Sequence, residues 1–213
     1  MIPFELYSIT PSVPLYGEIF RIPNYYSEKE LTHIRERIAH DVNKIGGYVP
    51  DTCYPSMKIE YTTDPQSKFV SEKSQWLLDN WSLIRELTEI DDIQYHGDNT
   101  KVPQWVDESA RGSPPYNKLY PPHTDMGSRK LLTILVPLSD MGDPTKFHGI
   151  TSDKSKPVSR VWCHEWGVND AYMFRPSQRS WHSYQNTMGI DRWISNVNLI
   201  GELVVGELAN DNN

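Results

Sequence analysis

Short strand-like runs of apolar and aromatic residues recur every 10–15 positions in the second half of the chain, with turn residues between them. They fall at 116–120, 131–138, 145–150, 158–163, 171–175, 181–186 and 192–204. Side chains of an extended chain point alternately to two faces, so these runs predict strands, and their spacing indicates a sandwich or barrel. The first half reads differently. Residues 1–26 form an extended lead-in, with Glu18–Ile22 a strand bounded by Gly17 and Pro23. Ser27-Glu-Lys-Glu30 opens a helix, Ser27 capping the free amides and Glu30 completing a capping box. Leu31, Ile34, Ile38 and Val42 follow as one apolar stripe, and Gly46-Gly47 ends it. Met57–Thr62 reads as a strand within a mixed stretch. Asp64-Pro65 starts a second helix that runs to about Glu89 and buries Phe69, Trp76, Leu77, Leu83, Ile84 and Leu87, with Lys73 interrupting the stripe. Both helices are expected to pack on a sheet as scaffolding.

Residues 91–115 show no period and are rich in Asp, Gly, Asn, Ser and Pro, with Trp105 the one large anchor. Such a stretch is expected to be a lid over a substrate or a plain surface loop. The whole reads as a single domain over 1–213, mainly β with supporting helices: strands and two helices in 1–90, the 91–115 loop, a strand-rich core in 116–204 and a flexible tail at 210–213.

Composition narrows the picture. Seven Trp and twelve Tyr compensate for a hydrophobic content of 38%, and sixteen Pro with twelve Gly favour a turn-rich β chain. A net charge of −7 offers no basic face for nucleic acid. Cys53 and Cys163 are the only cysteines and have no metal or disulfide spacing, so they read as free thiols in a reducing compartment. No basic-then-apolar leader opens the chain and no apolar run approaches 18 residues. The expectation is a cytoplasmic protein with no membrane partner.

The candidate chemistry centres on Tyr120-Pro-Pro-His123-Thr-Asp125. His123 and Asp125, two apart, share one face of an extended chain. A second histidine follows in Trp181-His182-Ser183, and Arg192 opens Trp193–Ile200 ten residues later. Two imidazoles and one carboxylate suit iron(II) on one facet and leave the other positions open. A 2-oxo acid can chelate there, and a far carboxylate would need the bidentate fork of an arginine. The Arg192 strand is expected to hydrogen-bond beside the His182 strand, bringing Arg192 to the metal side.

These residues resemble the iron(II)/2-oxoglutarate-dependent oxygenases, most of all their prolyl-hydroxylase-like branch. The matching text is Tyr120-x-x-His123-x-Asp125, the strand Leu132–Ser139, Gly142–Phe147, Phe174-x-Pro176 before His182, and Arg192 after it. The likeness spans roughly Tyr116 to Leu203; in the Gly142–Phe147 segment Asp143-Pro144 replaces the family's Gly-Glu. It implies a double-stranded β-helix (jelly-roll) core with iron(II) held by His123, Asp125 and His182 in its mouth. It also implies 2-oxoglutarate as cosubstrate, anchored by Arg192, and dioxygen as oxidant. Decarboxylation of 2-oxoglutarate to succinate would be coupled to hydroxylation of a C–H bond. One departure stands out: many relatives carry serine two residues after the arginine, where this chain has Ile194, and Ser195 is expected on the opposite face. Asn196 and Asn198 share the parity of Arg192, Thr133 and Leu135 the comparable parity on the facing strand, and Tyr120 precedes His123 by three. All five are candidate cosubstrate contacts.

Within this resemblance, Asp125 argues against halogenases, which lack the metal carboxylate. Asn198, where nucleic-acid demethylases carry a second arginine, argues against nucleic acid, as does the acidic charge. The implied substrate is a prolyl or other amino-acid or peptidyl group, or another small molecule. A jelly-roll binding protein without turnover and a cupin-type metalloenzyme are the alternatives, although cupins use more histidines and do not require Arg192. His33, His40, His96, His148 and His164 read as surface or hydrogen-bonded residues, Trp181 and Trp193 as core, and Asp143 and Asp170 as turn residues. No G-x-S-x-G, phosphate loop or CxxC pair is present.

Overall fold

The computed structural model describes residues 1–9, 18–45, 57–62, 64, 67–89, 102–113, 119–126, 129–139, 144–150, 157–162, 167–188 and 190–201. Its elements, in chain order, are β1 (Tyr7–Ser8), β2 (Ile19–Ile22), α1 (Glu28–Ile45), β3 (Met57–Glu60), α2 (Glu72–Asp79), α3 (Trp81–Thr88), β4 (Pro103–Ser113), β5 (Tyr120–His123), β6 (Lys130–Pro137), β7 (Lys146–Ile150), β8 (Pro157–Trp162), β9 (Ala171–Phe174), β10 (His182–Tyr184) and β11 (Arg192–Gly201). Every strand pairing is antiparallel. A major sheet runs β1-β2-β9-β6-β11-β4-β3 and a minor sheet runs β5-β10-β7-β8. The chain is mainly β, and the two sheets form a jelly-roll core supported by helices.

The two faces of the major sheet follow from strand parity. One carries Phe20, Ile22, Ile59, Val106, Ala110, Leu132, Ile134, Val136, Met173, Trp193, Val197 and Leu199, which pack with Leu31, Ile34 and Ile38 of α1 and with Leu77, Trp81 and Ile84. The other face supplies Ile19, Leu135, Tyr172, Phe174 and Ile194, which close with Phe147 of the minor sheet into a smaller apolar layer. The helices therefore brace one side of the sheet and leave the other to the site. Helix α1 begins as its sequence predicts: the Ser27 amide and hydroxyl both donate to Glu30 at 2.8 Å, and the Glu30 amide donates back to Ser27 Oγ at 3.4 Å.

The second helix differs from expectation in two ways. It starts at Glu72 rather than at Asp64-Pro65, because Ser71 is the cap and its own amide is taken by Glu108 at 3.0 Å. It also breaks at Asn80, whose amide and side chain both donate to the Trp76 carbonyl, leaving α2 and α3 as separate eight-residue helices. Lys73 leaves the apolar stripe to reach the Asn24 carbonyl, and Leu87 is exposed rather than buried.

The largest correction concerns 91–115. Residues 103–113 are not a lid or surface loop but strand β4, paired along its length with β11 and over four residues with β3. The remainder of that segment, apart from Val102, lies outside the described residues, as do Gly46-Gly47, Cys53, His96, Asp143, Cys163, His164 and the 210–213 tail. The strand was hidden because Glu108, Ser109 and Ser113 are polar yet buried, which breaks the apolar alternation that reveals a strand. Glu108 is satisfied by Ser71 and Tyr26, and Tyr26 also bonds Ser195 at 2.6 Å. Ser195 thus faces the helices, opposite to Arg192, as parity predicts.

Candidate active site

β5 and β10 are neighbours in the minor sheet, and His123 and His182 are direct register partners across them. Cross-strand partners project to one face about 5 Å apart, and the two rings meet with centroids 4.3 Å apart. Asp125 follows just past the end of β5, where Lys130 Nζ lies 3.1 Å from one carboxylate oxygen and Thr133 Oγ1 donates to the other at 3.0 Å. The ligand atoms of His123, Asp125 and His182 all lie within 4.8 Å of one another, a group that could hold a metal ion.

The donor set fits such an ion. Nδ1 of His123 lies 3.0 Å from the Pro121 carbonyl and Nδ1 of His182 lies 2.8 Å from the Ser180 carbonyl. A carbonyl can only accept, so Nδ1 carries a proton in both rings, and in the neutral imidazole it is the Nε2 lone pair that is left for a metal. Burial pushes the His182 imidazole down to about 4, helped by His123 alongside, so it is neutral at physiological pH. Burial alone would raise the Asp125 carboxyl. The Lys130 ammonium, His182 and the Thr133 hydroxyl together outweigh it and hold the group below its ordinary value. Two neutral imidazoles and one ionised carboxylate are what a divalent first-row metal requires.

Around these residues lies an open cleft of about 740 Å³ including its mouth. The sequence candidates Tyr120, Thr133, Leu135, Arg192 and Asn196 line it. Asn198 does not. It stands behind the wall, its Oδ1 3.3 Å from Thr133 Oγ1 and its amide donating to Asn196 Oδ1 at 3.1 Å.

Arg192 reaches the cleft by a different route from the one expected. β10 pairs with β5 and β7, so both its edges are taken, and β11 lies in the other sheet between β6 and β4. The arginine therefore faces the histidines from across the sandwich. It is buried, with its guanidinium 4.6 Å from the Tyr184 ring centroid and donating to Thr145 Oγ1 at 3.1 Å. Tyr184 in turn stacks on Tyr120 at 5.1 Å.

Sequence reasoning missed Arg111, Lys130, Thr145 and Tyr184 as lining residues. Tyr184 was within reach, being two residues past His182 and so on the same face by parity. Ile194 fills the position two after the arginine, giving the cleft an apolar wall there. Arg111 was concealed by the misread strand β4. Among the other histidines, His33 bonds the Tyr61 carbonyl, His40 pairs with Asp41 and His148 bonds Ser183, all in supporting roles as expected. Asp170 ion-pairs with Arg21 at 2.6 Å beside the turn at Asn169.

No family model matches the chain, and no curated protein matches it in sequence. Solved structures do match. A Pseudomonas putida prolyl-4-hydroxylase aligns with TM-score 0.51 and 12% identity over 87% of this chain and 93% of its own. SnoK, a non-haem α-ketoglutarate-dependent carbocyclase from nogalamycin biosynthesis, aligns with TM-score 0.53 and 14% identity over 87% and 80%. The chain shares the fold of these enzymes. A Trichoplax adhaerens prolyl hydroxylase, solved with a peptide fragment of the hypoxia-inducible factor oxygen-degradation domain, aligns with TM-score 0.53 and 13% identity over 85% and 83%. At these identities the likeness establishes the fold and leaves activity to the site itself.

Proposed function

We propose that this protein is an iron(II)/2-oxoglutarate-dependent oxygenase that hydroxylates a C–H bond in a prolyl, other amino-acid or peptidyl substrate. The observation that carries this reading is the convergence of His123, Asp125 and His182 within 4.8 Å, in a cleft whose facing wall presents Arg192. Iron bound at such a facet would supply the activation of dioxygen coupled to decarboxylation of 2-oxoglutarate to succinate. The chain's residues supply the rest. His123 and His182 would hold the metal through Nε2, their ring orientation fixed by the Pro121 and Ser180 carbonyls. Asp125 would be the anionic ligand, kept ionised by Lys130 and Thr133. Arg192, oriented by Thr145 and the Tyr184 ring, would clamp the distal carboxylate of 2-oxoglutarate. Ile194 and Leu135 would keep water from its methylenes, while Asn196, Thr133 and Tyr120 border the chelate.

An iron(II) centre is best maintained in a reducing compartment, which agrees with the cytoplasmic expectation. The two histidines and single carboxylate, with Arg192 opposite, favour this reading over a cupin-type metalloenzyme. A succinate-release assay across amino-acid and peptide libraries tests it: stimulated release by at least one compound is expected. Binding of iron and 2-oxoglutarate with no stimulated or uncoupled turnover would favour the binding protein instead.

A further inference from the structure

Among the described residues the lining of the cleft carries three cations, Arg111, Lys130 and Arg192, against one carboxylate, Asp125. Lys130 is engaged with Asp125, and on the oxygenase reading Arg192 is matched by the cosubstrate. A divalent metal and dianionic 2-oxoglutarate cancel one another, so the complete site would retain a surplus of positive charge. That surplus is the two arginines; Arg192 already has the distal carboxylate of the cosubstrate to bind, and Arg111 is the one left for a further anion.

Arg111 lies on β4 directly opposite Ile194 of β11 and Lys58 of β3, so its side chain shares the cleft-facing side of the sheet. Its guanidinium has no hydrogen-bond or ion-pair partner among the described residues. Acids on the same face do not serve it: Lys58 engages Glu60 at 2.6 Å and approaches Asp107 at 3.8 Å. A guanidinium stays charged at any physiological pH and presents donors in a fork that fits a carboxylate. One left half-buried and unmatched in a ligand cleft is a recognition group awaiting an anion. Arg192 aligns with Ser113, two positions along, so the two arginines lie diagonally about 7–8 Å apart at the backbone and can serve two separate carboxylates.

We propose that Arg111 binds a carboxylate of the primary substrate, so that this chain acts on a free amino acid or a comparably small carboxylic acid rather than on a residue within a peptide. This rests on the oxygenase reading and narrows it. The backbone around an internal peptide residue offers only neutral amides to Arg111, whereas a free carboxylate on the reacting molecule neutralises its charge and orients the target C–H bond.

The test uses the full chain loaded with Mn(II) and saturating 2-oxoglutarate, a state without turnover, and reads binding by calorimetry and thermal shift. The probes are the free L-amino acids and small monocarboxylic acids, each beside its primary amide. At least one acid should bind, with its amide weaker by about tenfold or more. Arg111→Gln should weaken that acid by a similar factor while 2-oxoglutarate affinity stays within about twofold, and Arg111→Lys should fall between. Equal binding of acid and amide overturns the proposal, as does a panel in which nothing binds. A loss of 2-oxoglutarate affinity in Arg111→Gln also overturns it, since Arg111 would then belong to the cosubstrate clamp. Failure of the wild-type chain to take up 2-oxoglutarate with the metal would instead remove the oxygenase reading, and this proposal with it.

Discussion

Glu108, on the helix side of the major sheet, and Asp125, between the two sheets, are both carboxylates largely withdrawn from water, yet their surroundings drive them in opposite directions. Glu108 meets only neutral donors: the Ser71 amide and hydroxyl at 3.0 and 2.9 Å and the Tyr26 hydroxyl at 3.2 Å. Burial dominates there and pushes its carboxyl up to about 7, the hydrogen bonds offsetting only part of the cost. Asp125 meets the Lys130 ammonium, and its carboxyl is held below the ordinary range despite burial. The contrast separates two uses of a buried acid. Glu108 ties β4 to the start of α2 and can do so protonated. Asp125 is kept as an anion, the state in which a carboxylate can bind a cation.

The first way to break this comparison is to remove each acid. Asp125→Ala should weaken metal binding by more than about a hundredfold, since even loss of a group that merely orients a ligand costs ten- to a hundredfold; metal titration followed by calorimetry reads it. Arg192→Ala should weaken 2-oxoglutarate by about thirtyfold or more while leaving metal affinity nearly unchanged, because it strips the partner from a desolvated carboxylate. Glu108→Ala should do neither. It should lower unfolding free energy by about 3 kcal/mol, since the Ser71 and Tyr26 donors lose their buried acceptor, as measured by urea denaturation.

The comparison sharpens with pH. Glu108 has a folded-state pKa raised from 4.5 to about 7, so between those values the folded chain holds a proton that the unfolded chain has released. Its contribution is fully present below pH 4.5 and is lost as pH rises towards 7 and beyond. Between pH 4.5 and 8 this one group should cost about 3 kcal/mol of stability. Glu108→Gln should remove that slope, visible as the difference between the wild-type and variant stability curves. A wild-type chain that matched the variant at every pH would contradict the assignment. The smallest effect belongs to Ser71→Ala, which removes the cap of α2 and one donor to Glu108 and should cost about 1 kcal/mol.

How much of this was legible in sequence follows the same division. The metal-side residues were readable because His123 and Asp125 obey the period of two and lie beside apolar runs punctuated by turn residues. Helix α1 was readable from its cap and stripe. Strand β4 was not, because Glu108, Ser109 and Ser113 satisfy their polar groups inside the protein, and local patterning records polarity rather than partnership. Arg111 went unseen with it. The break at Asn80 was equally silent, since the residues on both sides favour helix. The opposing sheets of β10 and β11 depend on strand order, a long-range property that no local window contains.

Anaerobic titration of the purified chain with iron(II) and 2-oxoglutarate, followed by visible absorption, tests the central claim most directly. The account expects the charge-transfer band of a metal-chelated 2-oxo acid, absent in His182→Ala and Asp125→Ala and, at subsaturating 2-oxoglutarate, weaker in Arg192→Ala. A wild-type chain that binds iron(II) but shows no such band at saturating 2-oxoglutarate would contradict it.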